Sequence, residues 1–589
     1  MICIDFEVFA YDWLCVAIDL ETEKETVIVN DRDALAKLYE QYKQDIWVGY
    51  NIRNYDQWIL KAILLGFDPK AVNDFIIVEK KNGYKYSSGF NDVPLIIFDI
   101  MPNPPVGLKT IEGFMGLNIH ETAVSFDIDR PLTPEEIQST ISYCRDDVIN
   151  TVRVLMTRFE EFSSQLELVK MFKMSANNMG KTKAQLTAII LDARKTPPRG
   201  DEFNFSIPDT LRVKKYQRIV DWFVNCREIA LSKIEAGIDP EVIRKDFYSQ
   251  KLECEVAGVP HIFAWGGLHG ARTNYRAKGY FVNVDVASYY PSMMIRYNYH
   301  SRNIKNPQKF TDIYHTRLEY KAKKDKRANP LKIVLNSTYG ALKDKFNALY
   351  DPLMANNVCV TGQLLLLDLI EHLEPYCDII QSNTDGILIR LWADNEDEAD
   401  REYERVDAIC YEWEQRTGMG LEFDEFREVI QRDVNNYLIV HADGSYKSKG
   451  GEVKKLNDLD YDLPIINRAM VDYFVKGIPA RDTILACNDL REFQKIVKVS
   501  SLYLYGMHNG KRLEDKTFRV FASKRDSDGM IYKVKTEGAN PEKFANTPDH
   551  CFIDNTEVTG KPVPDYLDKA WYVDLAEKRI ERFTNDKEA

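Results

Sequence analysis

The chain has 589 residues, of which 44% are hydrophobic, 12% aromatic and 29% charged, and a formal net charge of -13 at pH 7. This length is too great for one core and predicts about three to five domains of roughly 100 to 200 residues, and the composition does not favour intrinsic disorder. No apolar run reaches the roughly 18 residues of a bilayer span, and the opening MICIDFEVFAYDWL lacks a basic n-region and carries Asp5 and Glu7, so no signal peptide is expected.

The ten cysteines are scattered and form no CxxC pair, which points to reduced thiols, a cytoplasmic setting and no structural zinc. Charge is unevenly spread. From Arg302 to Lys345 there are twelve Lys/Arg against four Asp/Glu, and from Leu391 to Gln415 two against ten. The basic stretch can follow a phosphate backbone, whereas the acidic one should face solvent away from it.

In chain order, residues 1 to about 160 alternate strand-like runs (ICIDFEVFAYDWLCVAIDL, ETVIVN, DIWVGYN, PLIIFDI) with helical stretches, the pattern of an α/β domain. TPEE marks a helix start, with Thr133 as N-cap, Pro134 in the first turn and Glu136 closing a capping box. Residues 161 to about 260 read as mostly helical and polar, interrupted by KTPPRGDEFNFSIPD, a linker-like stretch. GYFVNVDVASYYPS reads as a strand running into a Pro-marked turn. From Asn306 to Ala348 a charged, helix-favouring segment breaks near Asn329-Pro330, which predicts an antiparallel helix pair. QSNTDGILI follows between two apolar runs; taken alone, its Asp-Gly is a hairpin signal. A helix over the acidic stretch comes next, then mixed structure to the end.

Two constellations carry chemistry. In the first, DFE sets Asp5 and Glu7 on one face of a strand, NIRNYD supplies Asp56, and YCRDDV puts Tyr143 and Asp147 one helical turn apart, with Asp146 pointing elsewhere. Four carboxylates gathered from separate elements repel one another unless cations neutralise them, and the usual cations are a pair of Mg²⁺ or Mn²⁺ ions. This set resembles the 3′-5′ proofreading exonuclease domain of many DNA polymerases, in the subgroup with a Tyr in its third motif (DEDDy). The resemblance implies metal ligation by Asp5, Glu7, Asp56 and Asp147, a Tyr143 hydroxyl that orients the attacking water, and contacts from Asn51 and Tyr55 to the frayed primer end.

In the second, Asp285 ends an apolar strand in NVDVASYYPSMM, and it meets Asp385 if that strand lies beside the hairpin holding QSNTDGILI. Between them KIVLNSTYG puts Lys332, Asn336 and Tyr339 on one helix face, and Arg317 and Lys321 lie one turn apart on the preceding helix. DVASYYPS, KIVLNSTYG and SNTDG resemble motifs A, B and C of family B DNA polymerases, in the family's order and behind its exonuclease motifs. The likeness covers about residues 1 to 160 and 260 to 455. It implies Asp285 and Asp385 as metal ligands, Tyr290 as the steric gate beside the sugar 2′ position, Lys332, Arg317 and Lys321 on the triphosphate, and Tyr339 and Asn336 along the nascent pair.

The sequence departs from the family in three places. Asn383 stands where the family's third motif usually has its first Asp. AWGGLHGA at 264–271 only loosely matches the segment that couples editing to synthesis and lacks its Tyr. In NNYLIV, Asn435 replaces an expected Lys, which leaves Lys447 and Lys449 as the phosphate contacts.

The fold implied is a multidomain α/β and α+β chain, an RNase H-like exonuclease domain followed by a right-hand polymerase. Its parts would be the exonuclease domain at 1–160, a helical linker region at 161–260, palm at 261–301 and 349–455, fingers at 302–348, and a thumb at 456–589 assigned by position alone. The activity implied is template-directed extension of a primer 3′-hydroxyl with dNTPs, together with 3′-5′ editing. It would use two Mg²⁺ (or Mn²⁺) ions per active site, on primer-template DNA, as a monomer in the cytoplasm (the host's, for a virus) with no membrane. By analogy the replicon is a phage or plasmid. Two rivals are a nuclease with a degenerate polymerase half and a non-catalytic nucleic-acid scaffold; both require lost carboxylates, and all six expected acids are present. The short interval from Asp285 to Lys332 leaves no room for the priming-protein docking insertion of protein-primed relatives, and that from Tyr339 to Asp385 implies that their second insertion is absent or vestigial. A nucleic-acid primer and helicase or single-strand-binding partners are therefore expected.

Overall fold

The computed structural model describes residues 1–121 and 124–584 and divides the chain into two compact units. One unit combines Met1–Lys181 with Leu456–Ile466 and Arg481–Asp574; the other is built from Thr182–Lys455 with Asn467–Ala480 and the residues from Leu575 on. Both units mix helices and sheets.

The first unit opens with β1 (Ile2–Val8), β2 (Trp13–Asp19), β3 (Glu25–Val29), α1 (Arg32–Tyr42), β4 (Ile46–Gly49), α2 (Asp56–Leu65), α3 (Pro69–Ile77), β5 (Ile96–Asp99), α4 (Leu108–Met115), α5 (Pro134–Thr157) and α6 (Phe159–Met171). The strands form one sheet in the order β3-β2-β1-β4-β5, antiparallel through β1 and parallel beyond it. Both faces are covered. Ile2, Ile4, Phe6 and Val8 pack with Leu35, Ile59 and Leu60 on one side, and Cys3, Leu14 and Val16 pack with Ile141, Cys144 and Val148 on the other. Period-two alternation therefore turns Asp5 and Glu7 toward α5. The N-terminus of α5 is held by the expected capping box of Thr133 and Glu136, with Pro134 in the first turn.

The second unit contains α7 (Lys183–Ile190), α8 (Gln217–Glu235), α9 (Pro240–Ser249), β6 (Leu252–Val256), β7 (Val259–Phe263), β8 (His269–Ala271), β9 (Tyr275–Val286), α10 (Tyr289–Arg296), α11 (Gln308–Ala322), α12 (Ala328–Lys343), α13 (Pro352–Leu373), β10 (Cys377–Asn383), β11 (Gly386–Leu391), α14 (Glu396–Thr417), β12 (Leu421–Asp433), β13 (Asn436–Val440) and β14 (Tyr446–Lys449). Nine strands form one sheet, ordered β14-β13-β12-β9-β11-β10-β8-β7-β6. The basic segment is the helix pair α11 and α12, packed on each other. The stretch that reads as a linker is packed as well: Phe203 and Phe205 are buried, and the Ser206 N–H donates to Asn357 Oδ1 at 2.8 Å.

α13 is long and apolar enough to cross a membrane, yet it is buried in protein along nearly its whole length. A helix hydrophobic all round belongs to a core or a bilayer, and the polar groups of α13 decide for the core. Asn356 donates to Glu202 O at 2.8 Å, Gln363 to Ala264 O at 2.7 Å, and the fully buried Asp368 pairs with Arg416 at 2.7 Å. The acidic α14 turns Val406, Cys410 and Trp413 inward and leaves most of its carboxylates to water.

The remaining elements are α15 (Pro464–Lys476), α16 (Ala480–Ala486), β15 (Lys495–Lys498), β16 (Tyr505–His508), β17 (Lys511–Arg512), β18 (Thr517–Ala522), β19 (Ile531–Val534), β20 (Glu542–Lys543), β21 (Cys551–Ile553) and α17 (Lys569–Thr584). They include two small sheets, β15-β18-β21 and β17-β16-β19-β20. The segment 456–589, read by position as a thumb, thus divides between the units, and its β-rich part packs through β15 and β18 on α4 of the first unit. Its last five positions lie outside the described residues.

Candidate active sites

In the first unit two helices converge on β1. The pleat presents Asp5 and Glu7, the helical repeat of α5 presents Tyr143, Cys144 and Asp147, and Asp56 opens α2 with its Oδ1 accepting the Phe6 N–H at 3.3 Å. Asp5 also accepts from the Cys144 thiol at 3.5 Å, and ligand atoms of Asp5, Glu7 and Cys144 all lie within 4.8 Å of one another. Burial, then the charges of Asp56, Glu7 and Asp147, push the Asp5 carboxyl well above the usual carboxylate range. Glu7 is raised chiefly by burial and then by Asp147, against the pull of Lys109, and Asp56 is pushed up to about 7, chiefly by burial. The four carboxylates expected to cluster are close enough to repel. Asp146 is exposed, as its helix position requires.

Sequence reading missed a cation in this cluster. Lys109 of α4 reaches across to Asp147, pairs with Glu112 at 3.2 Å, and lies 4.4 Å from the centroid of the Tyr143 ring. Glu112 is 1% exposed, accepts from Asn150 Nδ2 at 3.0 Å, and is pushed up to about 7, mainly by burial. A cavity of about 430 Å³ adjoins these groups, lined in part by Lys109, Glu112, Tyr143 and Arg153. Asn51 and Tyr55 lie in the turn before α2. The Asn51 N–H donates to Asp99 Oδ1 at 3.0 Å, its own Oδ1 accepts from Asn54 at 2.8 Å, and the Tyr55 hydroxyl donates to Asn73 at 2.8 Å.

In the second unit β9 lies between β11 and β12, and its register pairs Asp285 with Gly386. The hairpin reading of QSNTDGILI holds, with one change. The loop is Thr384-Asp385, Thr384 takes the left-handed φ of +60°, and Gly386 is already in the strand, paired with Asn383. What Gly386 supplies is space, because a Cβ there would lie 1.9 Å from Asp285 Oδ1. The Asp285 carboxylate therefore rests on the backbone beside Asp385, whose carbonyl accepts the Val286 N–H at 2.8 Å. Asn283 Nδ2 steadies Asp285 Oδ2 at 2.7 Å, and burial followed by Asp385 pushes the Asp285 carboxyl up to about 6. AWGGLHGA braces the turn: Leu268 O accepts the Thr384 N–H at 2.9 Å, and the His269 ring meets Asn383 Oδ1 at 3.2 Å.

The other expected residues of this unit lie on α10, α11, α12 and the strands after the hairpin. Tyr290 stacks on Tyr339, with centroids 4.1 Å apart and planes at 19°, whereas Tyr289 is buried with its hydroxyl so close to α13 that a Cβ on Gly362 would lie 2.6 Å from it. Lys332 and Asn336 are exposed on the same side of α12 as the half-buried Tyr339. Arg317 donates to Ser288 Oγ at 2.8 Å, and the exposed Lys321 pairs with Glu422 at 2.8 Å. Lys447 pairs with Asp424, and it lines, with Lys449, Lys455, Asp285 and Asp385, a cavity of about 980 Å³.

No protein-family profile matches the chain. Among characterised proteins, DNA polymerase 1 of Sulfurisphaera ohwakuensis is 25% identical over 197 residues, which are 33% of this chain and 21% of that protein. This chain resembles the family B DNA polymerases. The match spans about a fifth of that relative's length. Among solved structures, the family B DNA polymerase from the hyperthermophilic archaeon Pyrobaculum calidifontis aligns over 100% of this chain and 78% of that one, with 14% identity and a TM-score of 0.42.

Besides Lys109 and Glu112, the residues that sequence reading missed are Asn283 and His269. Asn283 sits two positions before Asp285 and so shares its face, a signal available from the strand period; nothing in the sequence ties His269 to Asn383. Gly386→Ala should push the Asp285 carboxylate away from its place beside Asp385, lower any activity that depends on the Asp285–Asp385 pair by about 100-fold, and destabilise the protein by about 1–3 kcal/mol. Urea unfolding run beside nucleotide incorporation measures both, and full incorporation by a folded Gly386→Ala protein would contradict the close approach.

Proposed function

We propose that the chain is a template-directed DNA polymerase of family B, extending a primer 3′-hydroxyl with dNTPs and editing with a DEDDy 3′-5′ exonuclease, for DNA replication of a phage or mobile element. The observation that carries the synthetic half is the meeting of Asp285 and Asp385 beside the Tyr290–Tyr339 stack. The editing half rests on the four-carboxylate cluster of the first unit. Both donor sets suit hard divalent cations. They consist of carboxylate oxygens, and burial and mutual repulsion hold several of them above the usual carboxylate range, a strain that a bound cation relieves.

In this reading Asp285 and Asp385 hold Mg²⁺ (or Mn²⁺) in one site, and Asp5, Glu7, Asp56 and Asp147 hold it in the other. Bound there, two such ions lower the pKa of an attacking oxygen and stabilise the leaving oxygen of a phosphodiester or triphosphate. The remaining work falls to the protein. Arg317, Lys321 and Lys332 bind the triphosphate, and Lys321 exchanges its exposed partner Glu422 for phosphate. Tyr290 walls the sugar, Tyr339 and Asn336 line the nascent pair, and Lys447 and Lys449 contact the primer backbone. In the editing site the Tyr143 hydroxyl orients water, Lys109 steadies Asp147, and Asn51 and Tyr55 meet the primer end. Primer-template DNA is the partner, with a helicase or single-strand-binding protein aiding at duplex.

Asp385→Ala or Asp285→Ala should abolish nucleotide incorporation while primer degradation persists, and Asp5→Ala with Glu7→Ala should do the reverse. Appreciable incorporation by folded Asp385→Ala protein would sink the first assignment, as degradation of single strands by the purified double variant would sink the second. Tyr289 is turned away into α13, so the gate falls to Tyr290. Tyr290→Ala should raise ribonucleotide use relative to dNTP use in single-turnover incorporation, and an unchanged ratio would place the gate elsewhere.

A further inference from the structure

α4 is eight residues long, too short to be stable by itself, and like any helix it leaves its last carbonyls without intrahelical partners. Gly116 and Leu117 N–H groups cap the Gly113 and Glu112 carbonyls locally, and further partners come from some 400 residues along the chain, within the same unit. Arg519 of β18, fully buried, donates Nη2 to the carbonyls of Gly113 at 3.2 Å and Leu117 at 2.6 Å, and Nε to Gln494 Oε1 at 3.0 Å. Gln494 Nε2 reaches Phe114 O at 3.1 Å, which Arg491 Nη2 meets at 2.8 Å. The Val558 N–H donates to Gly116 O at 2.8 Å, and the Ile119 N–H to Asn555 O at 2.7 Å. Gly113 packs so tightly on β15 that a Cβ would lie 3.0 Å from Ile496 Cδ1.

Burying a guanidinium is costly unless its donors are satisfied. Arg519 meets that cost with carbonyl and amide oxygens, its Nη1 adding Asp554 O at 3.3 Å and Thr556 O at 2.5 Å. So many bonds converging on one short helix fix its position along and about its axis. The same helix carries Lys109, whose ammonium must span Asp147, Glu112 and the Tyr143 ring at once. Displacing a reacting group's partner by about 1 Å can cost about 100-fold in rate.

We propose that the C-terminal segment 481–574 is a working part of the editing site, holding α4 so that Lys109 reaches Asp147 and Tyr143, with Arg519, Gln494 and Arg491 as positioning residues. The proposal rests on the editing reading above. It assigns the segment a role in degradation of single-stranded 3′ ends.

The test uses the full chain. Arg491→Ala, at the rim, and Gln494→Ala are made alone and combined with Lys109→Ala. Degradation of a 5′-labelled single-stranded oligonucleotide is resolved into kcat and KM, with dNTP incorporation measured beside it. Each variant should lose about 10- to 100-fold in degradation kcat, keep KM and incorporation within about twofold, and lose nothing further in the Lys109→Ala background, since positioning an absent ammonium has no effect. Unchanged degradation by the folded single variants, or losses that multiply with that of Lys109→Ala, would overturn the brace. A wild-type protein that degrades nothing would overturn the editing reading and this inference with it.

Discussion

Asp285 reaches Asp385 because the residue beside it on β11 has no side chain. Adjacent strands are about 4.7–4.9 Å apart, and a carboxylate that turns in along the ladder finds room at Gly386. Much of the second unit can be read as serving this contact. β9 sits between β11 and β12, Asn283 fixes the rotamer of Asp285, and Leu268 and His269 grip the turn at Thr384 and Asn383. Under these restraints the hairpin keeps a β-branched residue at a left-handed φ of +60°, a conformation that costs of order 1–3 kcal/mol and persists where its surroundings over-determine it.

The first unit solves the same problem of like charges differently. Its carboxylates come from β1, α2 and α5, are more deeply buried, and include a resident counter-charge in Lys109. An ammonium among carboxylates lowers their repulsion, at the cost of needing its own scaffold, which α4 provides. The two clusters therefore differ in what they demand of the fold: the one at β9 and β11 needs a bare strand position, and the one at β1 needs a short helix held from outside.

Local rules made the first layer of this legible. The strand period puts Asp5 with Glu7, the helix repeat puts Tyr143 with Asp147 and Lys332 with Asn336 and Tyr339, and the capping box places the start of α5. Tertiary placement was legible where a motif fixed it, as for Asp285 and Asp385. It failed where the partner carries no motif. KTIEGFM is an ordinary helix in sequence, and nothing local says that its Lys and Glu turn into a carboxylate cluster. The residues from 481 to 574 were read by position as a thumb, since strands such as KIVK and TFRVFA reveal neither their sheet nor their neighbour. Arg519, within TFRVFA, is fully buried, and nothing in its neighbours in sequence marks it as such.

If two separate carboxylate clusters support synthesis and removal at the same 3′ end, a single primer reports both. The most direct measurement follows one labelled primer annealed to a template, with the purified chain and Mg²⁺, in the presence and absence of dNTPs. Template-directed extension is expected when dNTPs are present, and stepwise shortening from the 3′ end when they are withheld. Folded protein that does neither, or that adds nucleotides regardless of template, would contradict that expectation.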